Sequence, residues 1–318
     1  MNLKNESQIR PKDIYNEYLR LVEKDLSLYD FHNHKIYKCP FCNSEKYQPF
    51  LSKFNFNYFK CSFCESIYSS ERPSSKALNL YYKNSLSNLF WYKSFWPLVK
   101  KNRIKYIFNK RVIYILKNKN IYDFNFNKYI DIGCGNAEFL NSFQKKINKK
   151  VCGIEPSINK KIANKNINII NNVFEKTKLK SNSITFFTVF ELIEHILNPL
   201  LFLKKMHRSL SKNGFMIISF TDPTGFELST LKGKSTQFLP PLHLNFMSIF
   251  GCYIILKNIG FKEVNIVSLG ELDVDIVKNN YGFKNPNALL KTFINNDLSQ
   301  KFLKEYNMSS HKWLIAKK

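Results

Sequence analysis

The chain has 318 residues, 44% of them hydrophobic, with 29 Phe and 17 Tyr, a composition that supports a buried core and excludes a disordered tail. Its formal net charge of +25 comes from 49 Lys and Arg against 24 Asp and Glu. Most of the excess is Lys scattered among Asn and Ile, as in Lys160 to Asn168, which reads as the codon bias of an AT-rich genome ahead of a polyanion partner.

Met1 to Ser7 is polar, unlike a signal peptide, and no apolar run approaches the ~20 residues that span a bilayer. A soluble, cytoplasmic protein with reduced thiols is expected. Asp13 to Leu28, with Ile14, Tyr18, Leu21 and Val22 on one face, predicts an amphipathic helix. Two C-x-x-C pairs follow, Cys39-Pro-Phe-Cys42 and Cys61-Ser-Phe-Cys64, eighteen residues apart. Each pair makes a knuckle that offers two thiolates to one ion, and two knuckles complete a tetrahedral S4 site suited to Zn²⁺. Phe54, Phe56 and Tyr58 alternate with Asn55, Asn57 and Phe59, the period of a strand, so a zinc ribbon with a closed, structural site is expected. A redox C-x-x-C would instead be a single pair opening a helix. Ser69 to Ser75 reads as a linker, and Leu78 to Lys117 as two or three helices broken at Pro97.

From Tyr129, short β-rich runs alternate with amphipathic stretches: Tyr129 to Gly133, Val151 to Glu155, Ile167 to Ile170, Ile184 to Phe190 and Phe215 to Phe220. A helix from Ser248 to Asn258 and strands at Glu263 to Val267 and Trp313 to Ala316 follow. This order predicts an α/β fold, a Rossmann-like seven-stranded, mostly parallel sheet with helices on both faces. The expected organisation is 1–75 for the helix and ribbon, 76–120 for a helical linker or lid, and 121–318 for the α/β domain.

Asp131-Ile132-Gly133-Cys134-Gly135 is a strand end and a glycine turn, where Gly133 and Gly135 let the backbone turn tightly against a ligand. Glu155 ends the next strand 22 residues beyond Gly133, close to the ~20-residue offset of a ribose-binding carboxylate. Glu191, Glu194 and His195 stand at i, i+3 and i+4 after the fourth strand, so all three can face the strand tips. His243 lies in the loop Leu239 to Ser248, is a candidate general base, and precedes a good helix N-cap in Ser248. Gly270 to Val277 gathers Glu271, Asp273 and Asp275, read as a solvated strand end with a substrate contact as the alternative. Cys134, Cys152 and Cys252 read as small buried hydrophobes.

From Tyr129 onward these motifs resemble the class I S-adenosylmethionine-dependent methyltransferases. The first motif looks like Asp131 to Gly135, the second acidic position like Glu155, the fourth strand like Ile184 to Phe190 with Glu191 to Pro199 after it, and the fifth like Asn213 to Ser219. The resemblance implies that Asp131, Gly133 and Gly135 hold the methionine part of the cofactor and Glu155 its ribose, with Val173, Phe174 and Phe190 lining the pocket. The family's carboxylate after the third strand is replaced here, near Asn172. Glu191, Glu194 and His195 also resemble the E-x-x-E-H segment of quinone-biosynthesis O-methyltransferases, which implies a divalent metal there, with Glu194, His195 and His243 as catalytic candidates. A dehydrogenase would need glycine where Glu138 stands.

The implied activity is methylation of a small molecule, such as a sugar or another cell-envelope or secondary-metabolite precursor. Two alternatives stay open. One is an RNA methyltransferase whose ribbon aromatics stack on bases, although Asn/Asp-Pro-Pro-Tyr/Phe does not follow the fourth strand. The other is a non-catalytic scaffold whose ribbon docks a partner protein.

Overall fold

The computed structural model describes residues 5–32, 34–157, 164–280 and 287–318; Lys160 to Ala163 of the lysine-rich tract lie outside them. Helix α1 (Lys12–Leu28) precedes an antiparallel hairpin of β1 (Tyr47–Lys53) and β2 (Phe56–Cys61), and then β3 (Ile67–Ser69). The helical region comprises α2 (Ser75–Asn84), α3 (Leu86–Phe90), α4 (Trp96–Arg103), α5 (Asn109–Lys117) and the short α6 (Lys119–Tyr122). The α/β unit begins with β4 (Tyr129–Ile132), α7 (Glu138–Ile147), β5 (Val151–Ile154), β6 (Ile167–Ile170), β7 (Ile184–Val189), α8 (Pro199–Ser209) and β8 (Leu210–Thr221). It continues through α9 (Phe226–Leu231), β9 (Asn245–Phe246), α10 (Ile249–Ile259), β10 (Glu263–Ser268), α11 (Asp273–Asn280), α12 (Ala288–Ile294), α13 (Ser299–Glu305) and β11 (His311–Lys317).

Seven strands form the large sheet in the order β10-β11-β8-β7-β4-β5-β6, the α/β architecture expected from the alternating runs. β4 to β8 pair in parallel, whereas β11 runs antiparallel between β8 and β10. Alternate residues serve opposite faces. Ile130, Ile132, Val189 and Ile218 pack with α8 and α10 on one side, while Tyr129, Ile217 and Trp313 pack with α5 and α7 on the other. With both faces covered, the parallel strand tips are left as the place for a ligand. No helix among the described residues is long and apolar enough to cross a membrane.

The ribbon is built into this body. β3 pairs with β9, placing Ile67 opposite Phe246 and Tyr68 opposite Asn245, so hairpin and loop share one four-stranded sheet. Ser248 caps α10 by accepting from Gly251 N at 2.8 Å and donates its hydroxyl to Cys64 O at 2.6 Å. Tyr58 donates to the carbonyl of His243 at 2.8 Å. Phe56 and Tyr58 are fully buried, which removes two of the four aromatics that the RNA reading needs for stacking.

Three local expectations are corrected. Ser69 to Arg72 form no linker: all four are buried, and Glu71 accepts from Asn57 N at 2.6 Å and Asn57 Nδ2 at 2.9 Å. Pro97 breaks no helix. A wider π-turn at Trp91–Phe95 precedes it and accommodates a ring that would clash with the carbonyl four residues back in a regular helix. The break falls at Ser85, which ends α2 in extended conformation and caps α3, whose first amides are also taken by buried Asp25 through Leu86 N and Ser87 N, both at 2.9 Å. Finally, Gly270 to Val277 is no solvated strand end: Gly270 to Leu272 lead into α11, and Asp273, its first residue, is buried and accepts from Ser309 Oγ and Ser310 N, each at 2.6 Å.

A candidate two-chamber active site and a four-cysteine cluster

At the tip of β4, Asp131 is buried and accepts from Thr188 Oγ1 at 2.6 Å, a hydroxyl that also meets Tyr129 Oη at 2.6 Å. Burial pushes the Asp131 carboxyl up to about 7, against the opposing pull of Thr188 and Arg111. Gly133 and Gly135 both turn through left-handed backbone, with φ of 73° and 53°. A Cβ on Gly133 would lie 2.9 Å from Leu192, whereas one on Gly135 would meet nothing within 4 Å, so the loop leaves open space beside the strand tips. Glu155 closes the loop by accepting from Gly135 N and Ser157 N, each at 3.0 Å.

This loop lines a cavity of ≈ 190 Å³, which Trp91, Tyr92 and Trp96 cover from the helical segment and Phe190 borders. Val173 lies in extended backbone at the edge of β6, and the Asn172 side chain accepts from its amide at 2.9 Å. Phe174 is buried, its ring packed on Phe187 and Phe202 and so turned into the core. Open space at Gly135, a buried carboxylate at Asp131 and a second carboxylate at Glu155 fit a ligand with an ammonium group and a ribose. S-Adenosylmethionine is such a ligand.

A second cavity of ≈ 620 Å³ opens beyond the tips of β8 and β11. The two cavities share Arg103, Arg111 and Glu191 as common wall. Glu191 has a φ of 52°, a left-handed conformation uncommon for a residue with a side chain. Three donors converge on its Oε1: Arg111 Nη2 at 2.7 Å, Ser219 Oγ at 2.8 Å and His311 Nε2 at 2.8 Å. Burial alone would raise this carboxyl; His311, Arg111 and Ser219 more than offset it and hold it well below the usual carboxylate range. Arg111 also lies 4.4 Å above the Phe190 ring. His311 and Arg111 escaped the sequence reading. The signal for His311 was its place at the start of the last strand, since an antiparallel strand begins where its parallel neighbours end, and His311 sits opposite Thr221.

Glu191, Glu194 and His195 do not converge, and among the described residues only the cysteines gather metal-ligand atoms. The left-handed turn at Glu191 is the cause: it sends that side chain to Arg111 and His311, and only Ile193–His195 form a 3₁₀ turn. Glu194 is buried and accepts from Thr221 N at 2.9 Å; burial, with Glu191 nearby, pushes its carboxyl up to about 8. The His195 ring lies edge-on to His243 at 5.0 Å, and burial lowers it to about 3. His243 Nδ1 is 2.6 Å from the carbonyl of Gln237, and burial lowers this ring too. Neither histidine lines either cavity.

The four ribbon thiols lie within 4.8 Å of one another, with Cys39 to Cys64 and Cys42 to Cys61 each at 3.6 Å. A tetrahedron with Zn–S bonds of about 2.3 Å has sulfur edges near ~3.8 Å, so the cluster matches Zn²⁺. Such a site carries net negative charge, and buried Arg72, with Nε and Nη1 lacking protein partners, faces Cys39 electrostatically. Cys134 and Cys252 are buried, as expected, and Cys152 is half-buried.

A family model described as a methyltransferase domain matches residues 101–266, just over half of the chain. No curated protein matches the sequence. Among solved structures, an S-adenosylmethionine-dependent methyltransferase from Thermotoga maritima is 17% identical, with 67% of this chain and 98% of that chain covered and a TM-score of 0.42. One from Archaeoglobus fulgidus is also 17% identical, covering 70% and 99%, with a TM-score of 0.47. Phosphoethanolamine N-methyltransferase 2 from Haemonchus contortus is 15% identical over 79% of this chain and 63% of that one, with a TM-score of 0.50, and shares the fold. The chain therefore belongs to the methyltransferase-domain family and is a class I S-adenosylmethionine-dependent methyltransferase.

Proposed function

We propose that the protein methylates a small molecule that enters the ≈ 620 Å³ chamber, with the cofactor seated by Asp131, Gly133 and Gly135 in the smaller chamber and by Glu155, which meets Gly135 N from outside that chamber's lining. The observation that carries this reading is the shared wall of Arg103, Arg111 and Glu191, which joins the glycine-loop cavity to a walled pocket of drug-like size. When bound, S-adenosylmethionine supplies an electrophilic methyl group. Transfer is then chiefly a matter of positioning, plus removal of a proton from the acceptor.

For that proton the favoured group is His311 rather than His195 or His243, because it lines the acceptor chamber and they do not. The Glu191 carboxylate can only accept, so it fixes the proton on His311 Nε2 and leaves Nδ1 as the ring's accepting nitrogen. Arg111 and Ser219 hold that carboxylate in place. Residues 76–120 act as a lid through Trp91, Tyr92 and Trp96. The ribbon, 1–75, acts as a Zn²⁺-bound staple on the loop that carries His243, within the fold of 121–318.

Methyl-labelled cofactor, incubated with the protein and cell extract that is then split into metabolite and RNA fractions, tests this function. Label should appear among the metabolites. Recovery in RNA alone would reverse the assignment, and no label in either, with no binding of S-adenosylhomocysteine, would leave a scaffold.

A further inference from the structure

We propose that the larger chamber seats its acceptor by an anionic group, a phosphate or carboxylate, held between Arg10 and Arg103. This rests on reading that chamber as the acceptor site. Arg103 enters the shared wall from α4, its guanidinium 5.9 Å and 5.7 Å from the rings of Trp91 and Trp96. Its Nε is buried without a partner, and no carboxylate among the described residues pairs with it. Arg10 lies 3.7 Å from Glu6 and 5.5 Å from the centre of the Tyr15 ring. Burial, with Arg10 and Arg111 as like-charged neighbours, pulls Arg103 down to about 10.

The acidic residues of the chamber act on these cations only through space, Glu227 and Glu191 on Arg10 and Glu191 on Arg103, and make their close contacts elsewhere. Glu271 is taken by Lys110 at 2.5 Å and Lys304 at 3.6 Å, and Glu191 by Arg111 and His311. Asp273 is turned to Ser309 and Ser310. Glu227 accepts from Ser235 Oγ at 2.8 Å, and burial pushes its carboxyl up to about 7. Arg103, half-buried without a carboxylate partner, and Arg10, whose Glu6 partner stands off at 3.7 Å, are stabilised by an incoming oxyanion, whose geometry suits the guanidinium fork.

The cofactor's own carboxylate is the competing occupant, since Arg103 borders both cavities. Arg10 decides between them, because it lines the larger cavity alone.

The test titrates the full-length, zinc-loaded protein, saturated with S-adenosylhomocysteine, with inorganic pyrophosphate, following the fluorescence of the tryptophans stacked under Arg103. Binding should saturate; Arg10→Gln and Arg103→Gln should each weaken it roughly ten-fold or more, the usual effect of losing a hydrogen bond to a charged group. Arg10→Gln should leave S-adenosylhomocysteine affinity unchanged, and Arg10→Lys should restore part of the pyrophosphate affinity. The proposal fails if wild type does not bind pyrophosphate, or if both glutamine variants bind it as well as wild type. It fails equally if Arg10→Gln weakens S-adenosylhomocysteine as much as pyrophosphate, which would give these cations to the cofactor. A wild-type protein that binds no S-adenosylhomocysteine sinks the chamber assignment itself; cofactor-product binding without anion binding sinks this inference alone.

Discussion

Glu191 Oε1 lies 2.8 Å from Nε2 of His311, two groups 120 residues apart in sequence that meet where the two cavities join. Neither is placed by its own neighbours. A left-handed turn after β7 swings Glu191 across β8, and the antiparallel start of β11 brings His311 to the same edge. If this pair removes the acceptor proton, His311→Asn lowers kcat/KM by about 10²–10⁴ while S-adenosylhomocysteine affinity stays near wild type. Glu191→Gln lowers kcat as well and distorts the pH profile, since its amide no longer fixes the ring tautomer. Full activity in His311→Asn would return the role of base to His243 or His195.

The buried carboxyls set the pH dependence of the ligand-free protein. Asp131 and Glu227 are pushed up to about 7 and Glu194 to about 8, with burial the main cause in each. The native state therefore binds these protons more tightly than the unfolded chain, whose carboxyls titrate near ~4. Their contribution to stability is complete below that value and is lost as pH rises through about 7–8. Glu191, held low, acts in the opposite sense only below its ordinary value, outside this window. His195 and His243, lowered by burial, oppose the slope below about pH 7, where the unfolded chain's imidazoles (~6.5) take up protons, and are outweighed by the three carboxyls. Thermal unfolding should give a higher Tm near pH ~6 than near ~8.5, and Asp131→Asn should flatten the difference. An unchanged or inverted slope would mean that these carboxyls are solvated.

The glycine loop and the cysteine clamp were legible because each is local: a turn that needs left-handed backbone at Gly133 and Gly135, and knuckles closed within four residues. The rest depended on tertiary placement. Glu191, Glu194 and His195 have helical spacing, yet one left-handed residue parts them, and nothing in the sequence marks Glu191 for that conformation. Ser69 to Arg72 have a linker's composition but are buried, because Glu71 meets the backbone and side chain of Asn57 in the adjacent strand. Arg10 and Arg103 read as two more cations in a basic chain until the fold sets both on one cavity.

Removing the ion from the ribbon should disturb more than the ribbon. The knuckle carbonyl of Cys64 holds Ser248 at 2.6 Å, Ser69 N donates to Leu244 O at 2.8 Å, and Tyr58 holds the His243 carbonyl at 2.8 Å. Purified protein should contain about one equivalent of zinc, and chelation or Cys61→Ser should lower Tm by roughly 5 °C or more. Protease sensitivity should then appear around 239–248 as well as 39–64. Loss of zinc with no change in Tm would make the cluster incidental to this loop.

Gly251 gives the most discriminating test of that docking. A Cβ there would stand 2.6 Å from Ser66 Oγ, 2.9 Å from the Cys64 carbonyl and 3.1 Å from Ser248 Oγ. The Ser66 hydroxyl can rotate away, but the Cys64 carbonyl belongs to the knuckle and already accepts from Ser248. Within a helix, Gly→Ala taken alone stabilises by about 0.5–1 kcal/mol, whereas overpacking a close contact costs about 1–3 kcal/mol. The two effects oppose each other, so the sign of the change reports how firmly the ribbon is held. Gly251→Ala should lower Tm if ion and knuckle are rigid against α10. Chelation should abolish that penalty, leaving the variant level with or above the equally chelated wild type. A Gly251→Ala protein more stable than wild type with zinc bound would show that the ribbon yields to the methyl group.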